Sequence, residues 1–82
     1  MKLSGENGKA SICGERIYKK RREKGYSQNG LAIKLHLIGV NATQKTISRI
    51  ETGSHVVPDY ELLYFSKVLG VSVEYLLGLE AE

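Results

Sequence analysis

Apolar positions recur along this chain at helical rather than strand spacing. Cys13, Ile17 and the stem of Lys20 share one face with Arg21, and Gly25 follows, which predicts a first helix from Cys13 to Lys24. Ser27 is a good N-cap, and Tyr26 before it can pack on Leu31, so a second helix opens there. Leu31, Ala32 and Leu35 face inward, and the helix runs to Leu37 or Ile38 before Gly39 ends it. Gly30 stands where a capping-box Glu would strengthen the start. Thr43 caps a third helix that Gly53 closes, with Ile47 and Ile50 on its inner side. A fourth runs from Asp59 to Leu69 with Leu62, Phe65, Ser66 and Leu69 inward and Gly70 after it. A fifth opens at Ser72, with Val71 and Leu76 as its staple, and ends near Gly78. No alternating β-branched run bounded by hairpin turns is present, so the fold class is all-α.

The outer side of the third helix is chemically distinct. Gln44, Lys45, Ser48, Arg49 and Thr52 fall opposite the two isoleucines and include no carboxylate. Gln pairs bidentately with adenine, and Arg or Lys with guanine, so these are the side chains that read the major groove. Alone, such a face also describes any solvated amphipathic helix. The surroundings decide.

Charge is one such surrounding. The net charge is +3 over 82 residues. From Glu15 to Glu51 the balance is +6, with Arg16, Lys19, Lys20, Arg21, Arg22, Lys24, Lys34, Lys45 and Arg49 against Glu15, Glu23 and Glu51. From Thr52 to Glu82 it is −4, with Lys67 against Asp59, Glu61, Glu74, Glu80 and Glu82. A basic half joined to an acidic half suggests one polyanion-facing side. A single cysteine, Cys13, excludes an internal disulfide and fits a reducing, cytoplasmic setting; it reads as a packing residue. One Cys and two distant histidines, His36 and His55, cannot assemble a zinc site, so no metal or other cofactor is expected. No nucleophile elbow or phosphate loop occurs, so no catalytic residue is assigned and the chain is not expected to be an enzyme. No apolar run approaches a membrane span. Residues 1–11, rich in Gly, Ser, Asn and Lys, read as a disordered tail ahead of a single domain over 12–79.

The order of these pieces resembles the phage repressor and Cro-type helix-turn-helix family of bacterial DNA-binding regulators. The matching segments are Gly14-Glu15-Arg16-Ile17 with Arg21, Gly25-Tyr26-Ser27-Gln28, Leu31-Ala32, Gln44 to Gly53, Pro58 with Leu62, and Leu69 to Leu77. Each alone is weak; in order, at nearly the right spacing, they are specific. The resemblance implies a compact five-helix bundle whose third helix enters the major groove while the second crosses the backbone. Carried over, Gln44, Lys45, Ser48 and Arg49 are base-contacting positions. Gln28, Thr43, Thr46, Ser54 and His55 are phosphate-contacting positions. Two features depart from the pattern. His36 to Asn41 lengthens the link between the second and third helices by roughly five residues over the usual tight turn. Ser54 and His55 stand where Lys or Arg often follows the reading helix, which predicts a weaker, pH-sensitive phosphate grip there.

Arg21 and Glu51 both point inward, and two opposite charges in a small core are tolerable only as a pair, so a salt bridge is expected. The resemblance implies the same pair. The last helix carries more apolar groups than its own bundle needs, and Tyr75 and Leu79 are expected to form a symmetric dimer contact. The expected function is sequence-specific binding of double-stranded DNA by a transcriptional regulator, a repressor acting as a homodimer on a pseudo-palindromic operator. The competing expectation is the antitoxin of a toxin–antitoxin pair, for which binding a toxin protein is primary and DNA binding autoregulatory.

Overall fold

The computed structural model describes residues 12–80; the tail expected over 1–11 lies outside them. Five helices follow one another: α1 (Gly14–Lys24), α2 (Gln28–Leu37), α3 (Gln44–Glu51), α4 (Asp59–Leu69) and α5 (Val73–Leu76). α1 packs on α3, α4 and α5, and α2 packs on α3 and α4. Phe65 of α4 is fully buried among Ile17, Leu31, Leu35, Ile47, Ile50, Leu69 and Leu76, which come from every helix. Burying each such side chain stabilises the fold by about 1.5–3 kcal/mol before chain entropy is subtracted.

Local chemistry fixes the helix ends. Ser27, Thr43 and Ser72 each accept a hydrogen bond from the backbone N–H three residues on. α1 starts at Gly14 rather than Cys13, because Cys13 serves as the N-cap, with no side-chain hydrogen bond capping the helix. α5 is a single turn, since Leu77 and Gly78 already close it.

The link from α2 to α3 is ordered by its own hydrogen bonds. Gly39 N–H donates to His36 O at 3.1 Å and Val40 N–H to Leu35 O at 2.9 Å. This closure needs a left-handed residue, and Gly39 supplies it at φ 95°. Val40 is thereby buried. The cost is an apolar exterior: Ile33, Leu37 and Ile38 remain exposed.

α1 is pressed against the end of α3. A Cβ added to Gly14 would lie 2.2 Å from the carbonyl oxygen of Ile50, so only glycine fits at that crossing. Among the described residues no helix is long and apolar enough to cross a membrane, and no group of three His, Cys, Asp or Glu stands ready for a metal.

Candidate nucleic-acid interface

Ile47 and Ile50 are buried, and their anchoring determines what α3 shows to solvent. Gln44, Lys45 and Arg49 are exposed, and Thr46 and Ser48 are half-buried. Thr43 Oγ1 accepts from Thr46 N–H at 3.2 Å, fixing the first turn. At the other end Gly53 N–H donates to Ile50 O and Ser54 N–H to Arg49 O, with Gly53 left-handed at φ 85°. One short, well-capped helix therefore presents a continuous polar stripe.

That helix is tied to α1 by charge. Arg21 Nε donates to Glu51 Oε2 at 2.6 Å and Arg21 Nη2 to Glu51 Oε1 at 3.0 Å, a two-pronged pairing. Both side chains are more than nine-tenths buried. Arg21 Nη1 also donates to Tyr26 O at 2.8 Å, which joins the start of α2 to the same knot. The hydrogen bonds and charge of Glu51 hold the Arg21 pKa above its ordinary value, against the opposing effect of burial. The guanidinium thus stays charged throughout the accessible pH range.

Gln28 lies half-buried in the first turn of α2, and its amide is engaged within the protein. Its Nε2 donates to Glu51 Oε1 at 3.0 Å, and its Oε1 accepts from Gln44 Nε2 at 2.6 Å. Only its second N–H is left for a phosphate. Ser54 is likewise committed: its hydroxyl donates to Arg49 O at 3.2 Å and closes α3. A phosphate bound there would meet the backbone or displace that bond. His55 is half-buried beside it, and Thr43 is exposed.

The basic run on α1 is divided among separate duties. Arg21 is in the core, and Lys20 donates to Glu23 at 3.0 Å. Arg22 Nη1 donates to the Tyr18 hydroxyl at 3.0 Å. Lys20 and Arg16 both lie over the Tyr75 ring, at 5.1 and 5.6 Å from its centre. Tyr75 differs from expectation here. It is buried in the core beneath these cations, because α5 turns it inward next to Leu76. The exposed apolar residues after that turn are Leu77 and Leu79.

Two residues were not singled out as site residues by sequence reasoning. Asn29 is exposed next to Gln28 in the first turn of α2, a position that its place after the Ser27 cap could have indicated. Gly14 sets how closely α1 approaches α3, and nothing in a single sequence separates it from an ordinary helix-start glycine.

No protein-family model matches the chain, and no curated protein sequence does. Solved structures do. The phage P22 c2 repressor, in complex with a synthetic operator, is 27% identical with a TM-score of 0.72; the match covers 85% of this chain and 98% of the repressor chain. The Bacillus subtilis biofilm regulator SinR, in complex with DNA, is 37% identical with a TM-score of 0.68; the match covers 80% of this chain and 98% of that one. SinR in its complex with the SinI protein is similar at a TM-score of 0.67 and 37% identity, over 80% of this chain and 60% of that one.

Proposed function

The chain belongs to the lambda-repressor-type helix-turn-helix family of DNA-binding domains, and from that premise we propose that it binds double-stranded DNA sequence-specifically and regulates transcription. In this reading it is a repressor, and it works as a homodimer on a pseudo-palindromic operator. The observation that carries it is the exposed, carboxylate-free stripe of α3 from Gln44 to Arg49, held rigid by two caps and the Arg21–Glu51 pair. α3 lies in the major groove, with Gln44, Lys45, Ser48 and Arg49 facing base edges. The free N–H groups at the start of α2, the second amide proton of Gln28, and Thr43, Thr46 and His55 face phosphates. One reading helix spans only a few base pairs, so a two-fold copy supplies the remaining specificity. The DNA-bound P22 c2 repressor and SinR support this reading.

Selection from a random duplex library followed by sequencing tests it. Two inverted half-sites should be enriched, their centres about one helical turn apart or a multiple of it. A library that emerges unenriched contradicts the proposal. Stoichiometric recovery of the chain with a toxin-like protein, and no DNA selection, would favour the protein-binding alternative.

A further inference from the structure

Ile33, Leu37 and Ile38 form one apolar stripe on the outer side of α2 and the link that follows it. Leu37 is 78% exposed, Ile33 53% and Ile38 44%. These are neighbouring apolar side chains left to water, rather than the scattered single ones of an ordinary surface. The charge around them has one sign. Lys34 stands in the stripe, with its ammonium 4.9 Å from the centre of the Tyr26 ring, and the chain has no carboxylate from Gln28 to Ile50. A second apolar stripe lies on α4, where Tyr60 is 63% and Leu63 46% exposed. The charge there has the opposite sign: Asp59 and Glu61 flank Tyr60, and the first cation along α4 is Lys67.

We propose that the α2 stripe of one molecule docks on the α4 stripe of a second copy of this chain, a head-to-tail contact separate from the one expected at Leu77 and Leu79. Charge selects this pairing over the alternatives. Two α2 stripes face to face would bring Lys34 to Lys34, and two α4 stripes would bring carboxylates to carboxylates. α2 on α4 instead brings Lys34 to Asp59 and Glu61, with the apolar side chains covered between the helices. Ile33 and Leu37 are four residues apart and Tyr60 and Leu63 three apart, so the ridge of one helix fits the groove of the other at a crossing angle of about 20°. With Lys34 beside Asp59 the two helices run parallel, Ile33 against Tyr60 and Leu37 against Leu63. A contact between two different surfaces does not close on two copies, so further copies can add at either end.

The test is light scattering over a concentration series without DNA, in full-length Leu79→Glu, so that the C-terminal contact does not mask the new one. The mean mass should rise above that of one copy as concentration increases. Adding Leu37→Ser or Tyr60→Ser should hold it at one copy, because each strips one of the two surfaces. Both side chains are exposed, and a thermal melt checks that each variant is folded. Mixing these two double variants should restore association but stop it at two copies, since a single intact α2 stripe meets a single intact α4 stripe. Lys34→Glu in the same background should weaken the self-association about fivefold, the scale of an exposed charge pair. The proposal is overturned if the mass of Leu79→Glu stays at one copy throughout. It is equally overturned if Leu37→Ser or Tyr60→Ser leaves the association unchanged, or if their mixture stays at one copy. The DNA-binding function stands or falls separately, since no arm of this test contains DNA.

Discussion

At the scale of single residues, the organisation turns on one buried ion pair. A charge left alone in a low-dielectric core is costly, so removing one partner should cost far more than an exposed bridge would. Glu51→Gln should destabilise the fold by roughly 3–5 kcal/mol. In a domain this small that lowers the melting temperature by more than about 10 °C, and a calorimetric melt indistinguishable from the parent would refute the assignment. Gly14→Ala tests the neighbouring crossing. Its methyl group would meet the Ile50 carbonyl, and α1 would have to move. A loss of about 1–3 kcal/mol is expected in chemical denaturation, typical of an overfilled contact. The Arg21–Glu51 pair was legible in the sequence, because two opposite charges on inward faces must meet. The engagement of Gln28 was not, because a half-buried amide at a helix start can turn to solvent, phosphate or protein equally well. The burial of Tyr75 was not legible for a related reason: in a one-turn helix, spacing alone does not tell the buried side from the surplus.

At the scale of elements, the chain was unusually readable because small residues punctuate it. Ser or Thr opens three of the helices, and glycine with positive φ follows all five. The apolar positions between these marks then leave little freedom in which face is buried. The cap on α3 matters most, since it holds the turn that carries Gln44 and Lys45. Thr43→Ala should cost about 1 kcal/mol of stability, seen as a shifted denaturation midpoint with an unchanged slope. An unshifted midpoint would mean that tertiary packing alone holds this turn. The long link between α2 and α3 was legible as an insertion but not as a structure. Its closure depends on Val40 reaching the core, a contact that local spacing cannot announce. The exposure of Leu37 and Ile38 follows from the same closure.

At the scale of the whole molecule, charge separates by segment, with the basic residues running from α1 to the end of α3 and the acidic ones after it. Counterion release makes DNA affinity fall with salt at a slope near −0.9 per neutralised phosphate, and a salt titration should show this steeply. A flat isotherm would remove the electrostatic part of the proposal. The dimer proposed for operator binding now rests on Leu77 and Leu79 rather than on Tyr75. Leu79→Glu should shift the mass measured by light scattering toward the monomer and weaken operator binding, and a variant that assembles and binds like the parent would place the two-fold contact elsewhere. Family and fold were carried by motif order and helix spacing, whereas half-site spacing and operator sequence depend on contacts outside a single chain. The central claim is that the α3 stripe reads base pairs. Its most direct test is the affinity of the parent and Arg49→Ala for the selected duplex and for its single-base-pair variants. Arg49→Ala should bind the selected duplex about 1–3 kcal/mol more weakly and lose discrimination at one base pair. Full affinity and full selectivity in Arg49→Ala would contradict the account.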